Sequence, residues 1–112
     1  MVMGPTCGMV LADLGAEVIK VEPLAGDNTR RLLGSGAGFF PLFNRNKKSI
    51  AVDLQRPEGR ELMLKLVATA DIVSENFKPA TMARLGLDYA SLSTPEPAPD
   101  LCEPQGFSAR PV

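Results

Sequence analysis

The chain contains no histidine and no tryptophan, and aromatics make up only 5% of its 112 residues. Without histidine there is no imidazole to act as a general base or to complete a zinc ligand set. The two cysteines, Cys7 and Cys102, stand far apart without metal-ligand spacing, which argues further against a metal centre. Cys7 has no base near it in sequence and reads as a small apolar residue on a helix face rather than a nucleophile. Charge of one sign is also lacking. A net charge of −1 gives no reason to propose nucleic acid or an acidic membrane as the main partner. No apolar run is long enough to span a bilayer, and Met1 is followed by no basic, apolar leader pattern, so the default location is a reducing cytoplasm. The length allows one small domain at most.

What the chain does have is organised around residues 43–54, F-N-R-N-K-K-S-I-A-V-D-L. Cations Arg45, Lys47 and Lys48 run into a short apolar, β-branched stretch that predicts a strand over 49–54. Pro57 and Glu58 then open a helix in its first turn. A strand whose carboxyl end meets a helix N-terminus is where open α/β sheets receive phosphorylated ligands.

Upstream, Gly4, Pro5 and Thr6 read as a turn capping a helix, with Cys7, Val10, Leu11 and Leu14 on its apolar face and Gly15 at its end. Residues 17–22 (E-V-I-K-V-E) follow as a strand. The connection 23–41, with its glycine run from Gly34 to Gly38, is long and reads as a flexible flap rather than a phosphate loop. After the central strand, Leu62, Met63, Leu66, Val67 and Ala70 form the inner face of a helix. A third strand covers 71–75, Pro79 starts a short helix stopped by Gly86, and Asp88 caps a last turn. The order α-β-loop-β-α-β-α predicts an α/β fold, a partial Rossmann-like parallel sheet with flanking helices. A doubly wound sheet normally starts with a strand, so this partial sheet is expected to lack its first strand. Five of the ten prolines fall between Pro95 and Pro111, and residues 94–112 carry no periodicity; they are expected to be disordered, leaving 1–93 as the organised unit.

In such a sheet the strand exits share one edge. That edge offers Arg30, Arg31, Arg56, Lys78, Arg84 and the Asn76 amide, a set suited to phosphates, although exposed cations are ordinarily just solvated. Phe77 is either a stacking surface or a core plug, and spacing alone favours the plug. Asp53 is either a ligand-facing acid or the polar end of a strand. Lys47 and Lys48 read as a solvated pair.

The blocks G-P-T-C-G-M-V-L-A-D-L-G-A-E-V-I-K-V-E, G-D-N-T-R, N-R-N-K-K-S-I-A-V-D-L, P-E-G and D-I-V-S-E-N-F together resemble the family III CoA-transferases, in order and spacing from Gly4 to about Ser93. The resemblance implies an enzyme that moves coenzyme A from an acyl-CoA to a free carboxylic acid, with acyl-CoA as substrate and no permanent cofactor. It also implies an interlocked homodimer with a Rossmann-like large domain. By position it makes Val52, Asp53, Leu54 and Gln55, then Asn76, Phe77 and Lys78, and finally Arg84 the coenzyme A contacts. The family's nucleophilic aspartate has no counterpart by motif here, so no catalytic residue is assigned. The nearest enzymatic alternative is an α-methylacyl-CoA racemase-like protein, although the longer basic loop before the central strand favours transfer. The alternative of another class is a non-catalytic coenzyme A-binding fragment or a pseudogene product.

Beyond Ser93 the family pattern continues as N-P-R-L-I-Y, which this chain does not show. A permitted codon choice for residues 97–112, read one base later, gives P-R-L-I-Y-V-S-H-K-G-F, so the tail is expected to be a frameshifted reading of a longer gene. Such a fragment is expected to be marginal or unfolded, prone to aggregate, and without transferase activity.

Overall fold

The computed structural model describes residues 3–78 and 80–92, together with the backbone of 100–102. Helix α1 (Met3–Asp13) leads into β1 (Val18–Glu22). Two 3-10 turns (Asn28–Arg31 and Gly34–Gly36) and the short α2 (Phe39–Phe43) then precede β2 (Lys47–Ala51). The rest alternates: α3 (Pro57–Val67), β3 (Ile72–Ser74), α4 (Thr81–Leu85), α5 (Tyr89–Leu92) and β4 (Asp100–Cys102). The α/β alternation and the parallel strand sense follow the sequence reading.

The pairing differs. β1 pairs in parallel with β2, from Val18 opposite Lys47 to Glu22 opposite Ala51, and β3 pairs in parallel with β4, giving two two-stranded sheets rather than one continuous sheet. Periodicity marks which segments are extended but not which of them share a ladder. The central strand also begins and ends earlier than its apolar run suggests, so Val52 to Gln55 form its exit rather than its last turn of ladder. Residues 100–102 are a strand, contrary to the disorder expected over 94–112. Extended backbone beside β3 finds ladder partners there whatever its own periodicity. The remaining residues expected to be disordered lie outside the described ones, as does Pro79.

On α1 the buried positions are Gly8 and Ala12, while Val10 (46%) and Leu14 (80%) are exposed. The apolar stripe read from spacing is thus only partly packed: Cys7 and Leu11 are half-buried beside Gly8 and Ala12, and Val10 and Leu14 lie off that face. Small side chains let the helix come close to the strands, and this close approach outweighs hydrophobicity. Helix α1 also starts earlier than expected, taking Gly4, Pro5 and Thr6 into its first turn.

The core lies between α3, β3, α4 and α5. Val67, Val73, Leu87 and Leu92 are buried, with Leu54, Met63, Met82 and Leu85 packed on them. Each fully buried Val or Leu contributes about 1.5–3 kcal/mol. Met63 and Val67 thus face inward as predicted, whereas Leu62 is half exposed. Helix α4 ends on Gly86 in the left-handed region (φ 68°). Asp88 Oδ1 accepts the Ser91 N–H at 3.2 Å, the cap expected there.

Candidate coenzyme A site

The parallel register brings the carboxyl ends of β1 and β2 to one edge, and the ladder extends one step further where the Val52 N–H donates to the Glu22 carbonyl at 2.9 Å. Beyond this edge the chain turns sharply. The Asp53 carboxylate accepts the Gln55 N–H at 3.0 Å, and its carbonyl accepts the Arg56 N–H at 3.2 Å. Asp53 is therefore a turn-forming residue, a role that aspartate fills by bonding to the backbone two residues on. Pro57 then enters α3 at its first turn. The following glycine is required by contact: a Cβ on Gly59 would sit 1.9 Å from the Asp53 carbonyl oxygen. The Pro-Glu-Gly block lets the first turn of α3 rest directly on the strand exit.

An open cleft of about 480 Å³ lies at this junction, lined by Leu24, Ala51, Val52, Asp53, Arg56, Glu58, Gly59 and Leu62. Leu24, Val52 and Leu62 give it an apolar wall, and Leu62 faces this space instead of the core. Arg56 supplies its cation and the α3 N-terminus its dipole, set against the carboxylates of Asp53 and Glu58. Of the four strand-exit residues predicted to touch coenzyme A, Val52 and Asp53 line the cleft. Gln55 is exposed beside it, and Leu54 turns its side chain to the core cluster.

The second predicted loop follows β3. Phe77 is 51% exposed, so it is not the core plug that spacing favoured; the cluster under β3 is filled by Val73 and Leu87 instead. The Phe77 N–H donates to Glu75 at 2.7 Å, which fixes the loop's direction. Asn76 lies against α1, where a Cβ on Gly4 would come 2.9 Å from its Cγ. Lys78 is exposed. Arg84 is exposed on α4, its guanidinium 3.5 Å from the Thr81 hydroxyl. This helix also carries Met82 and Leu85, which pack on the same cluster as Leu54; Arg84 itself, like Asn76, Phe77 and Lys78, is not among the residues lining the cleft.

Two of the edge cations are otherwise engaged. Arg30 donates to Glu22 through Nε (2.9 Å) and Nη2 (2.7 Å), and its guanidinium stacks 3.8 Å over the Phe40 ring. Arg31 donates to the Ala25 carbonyl. Glu22 is buried and also accepts the Asp27 N–H at 2.7 Å and the Ser49 hydroxyl. The Arg30 hydrogen bonds, with help from Ser49 and Asp27, outweigh desolvation and hold the Glu22 carboxyl at about 2. This fourfold bonding folds the 23–41 connection into turns where sequence reading expected a flap. The Glu22 pairing spans eight residues, so it leaves no local signal in the sequence.

Lys47 was also missed. It is half-buried, not solvated, and donates to the Pro5 carbonyl at 2.8 Å and to Asn44 Oδ1 at 3.2 Å. Burial first, then the nearby Lys20 charge, bring its amine down to about 8. Lys48 is exposed and paired with Glu17.

Parallel strands that deliver an apolar-walled cleft to a helix N-terminus define a partial α/β, Rossmann-like unit. The profile of CoA-transferase family III matches residues 1–110, and the chain belongs to that family. The match runs past residue 93, where the sequence reading ended the likeness. Among curated relatives, a succinate–glutarate CoA-transferase of Agrobacterium fabrum is 44% identical over 93% of this chain, and a formyl-CoA:oxalate CoA-transferase of Rhodopseudomonas palustris is 37% identical over 96%. The chain covers only 29% and 27% of those proteins, about a quarter of their length. Among solved structures, a CAIB/BAIF family protein from Brucella suis superposes with a TM-score of 0.82 at 44% identity, over 91% of this chain and 29% of its own. A Mycobacterium tuberculosis protein, Rv3272, gives 0.84 at 45%, over 89% of this chain and 28% of its own.

Proposed function

We propose that this chain carries part of the coenzyme A cradle of an enzyme that transfers coenzyme A from an acyl-CoA to a free carboxylic acid. In that reaction the donor's C–S bond breaks and one oxygen of the acceptor carboxylate passes to the donor acyl carbon, so the donor leaves as a carboxylate while the coenzyme A sulfur bonds to the acceptor's acyl carbon. The observation that carries the reading is the cleft at the β2 exit, walled by Val52 and Leu62 and closed by the first turn of α3 beside Arg56. An apolar wall suits the pantetheine arm, and a helix N-terminus with an arginine suits phosphate. Val52, Asp53 and Gln55 form the first contact segment, to which Leu54, its side chain turned to the core, adds only backbone. Asn76, Phe77, Lys78 and Arg84 form the second, with the exposed Phe77 ring offered for stacking on adenine. The acyl-CoA and a small carboxylic acid are the partners, in the cytoplasm, within a homodimer of the complete enzyme.

No acid of this chain matches the nucleophilic aspartate by motif, and the reading proposed is that the chain by itself binds and does not transfer. Calorimetric titration of acetyl-CoA into the purified chain tests the first half of the reading, and an acyl-transfer assay tests the second. Absence of binding removes the cradle, and turnover removes the division between binding and chemistry.

For the tail, the reading proposed is a shifted frame from about Pro95. In the permitted codon choice, those for Asp100 to Cys102, where β4 runs, would overlap those for Leu-Ile-Tyr in the frame one base later. Resequencing decides it: a stop-ridden alternative frame excludes the shift.

A further inference from the structure

Lys47 lies outside the cleft, yet it joins the start of β2 to the first turn of α1 through its bond to the Pro5 carbonyl. Its stem passes against Gly8, where an added Cβ would meet Cε at 3.2 Å. Lys20 from β1, Cys7 from α1 and Asp27 from the following loop act on its charge, and Asn44 accepts a second hydrogen bond from it. Pro5 adjoins Gly4, and the Asn76 amide rests on Gly4 closely enough that one methyl group would displace it. The contacts therefore run without a gap from Lys47 to Pro5, to Gly4, and to Asn76.

We propose that Lys47 is a positioning residue for coenzyme A binding: by holding the first turn of α1 on β2 it keeps Gly4 against Asn76 and so sets where the 76–78 loop meets its ligand. The inference rests on the reading above, in which that loop touches coenzyme A. A charged amine holds the Pro5 carbonyl more strongly than a neutral one. The grip therefore weakens as the amine loses its proton, and binding weakens with it.

The test is titration of acetyl-CoA, which has no free thiol, into the full chain from about pH 7 to about pH 9, a range that spans the Lys47 transition. Wild-type affinity is expected to fall roughly fivefold across that range, the lower end of ordinary coupling between sites. Lys47→Met keeps the stem but loses the amine, and is expected to bind weakly at every pH with a flat profile. Lys47→Arg keeps a charge that does not titrate, and is expected to bind as the wild type does at the low end and to stay there. Cys7→Ser removes a neighbouring group that raises the Lys47 amine, and is expected to keep the pH-dependent fall in affinity with its midpoint moved lower. Far-UV circular dichroism checks each variant's fold; should Lys47→Met misfold, the wild-type and Lys47→Arg profiles still decide. A flat wild-type profile, or a Lys47→Arg profile that falls like the wild type's, overturns the proposal while leaving the cradle intact. Loss of all binding in the wild type overturns the cradle and this inference together.

Discussion

Glu22 and Arg30 face each other through two hydrogen bonds, Nε to Oε2 at 2.9 Å and Nη2 to Oε1 at 2.7 Å, with the carboxylate buried and the guanidinium half exposed over Phe40. This pair closes the segment between β1 and β2 on itself. It removes one cation from the ligand edge and turns it into support for the wall that Leu24 gives the cleft.

Acid should therefore loosen the fold in a defined window. The Glu22 carboxyl sits at about 2 in the folded chain against 4.5 for the ordinary group. A depressed carboxyl stabilises the fold fully above its unfolded value, and that stabilisation is lost as pH falls from about 4.5 toward about 2. The thermal midpoint of the wild type is expected to drop across this window. Glu22→Gln is expected to lower the midpoint at neutral pH, by about 1–3 kcal/mol of stability, and to flatten the acid limb. An unchanged acid limb in the variant would show that other carboxylates govern it.

Gly59→Ala should reverse the usual sign of a helical glycine substitution. In an open helix alanine gains about 1 kcal/mol over glycine. Here the new Cβ would lie 1.9 Å from the Asp53 carbonyl oxygen, so the strand exit and the helix must part. A loss of about 2–4 kcal/mol is expected, in the range of backbone overpacking, together with weaker acetyl-CoA binding. Urea denaturation and titration measure the two effects.

The second loop should contribute charge and stacking separately. Arg84→Ala and Lys78→Ala are each expected to weaken acetyl-CoA binding by about tenfold at low salt, as loss of a charge-assisted phosphate contact does, and to flatten its salt dependence. Phe77→Ala is expected to weaken binding without altering the salt dependence, because stacking carries no net charge. Because Phe77 is half exposed, its loss should barely move the thermal midpoint. A large drop in midpoint would assign the ring to packing.

Stability should depend on one small cluster. Leu87 is 1% exposed and packs with Val67, Val73 and Leu92. Leu87→Ala is expected to cost about 2–5 kcal/mol, enough to unfold a marginal chain. Light scattering on heating should then report aggregation at lower temperature than for the wild type, with Val10, Leu14 and Leu33 already exposed.

Much of the local structure was legible because its signals lie within a few residues of what they control. Pro57 opens α3, Gly86 closes α4 by its left-handed backbone, and Asp88 caps the turn to Leu92. The α-β alternation and the family's motif blocks are likewise carried by short windows, and they led to the strand exit that holds the cleft. What failed was the reading of which face packs and which cation is spare. Leu14 looked buried by spacing and is exposed; Phe77 looked like a plug and faces solvent; Arg30 looked like a ligand contact and is bound to Glu22.

The sequence alone determined the order of the main helices and strands up to α5, the caps at Pro57, Gly86 and Asp88, and the family, since backbone propensities and turn chemistry act over a few bonds. Tertiary structure decided the partners: Lys47 with Pro5 across 42 positions, Ser49 with Glu22 across 27, and Asn76 against Gly4. Those contacts exist only once helix and strands have packed, and packing depends on the shape of the whole assembly rather than on any window of it.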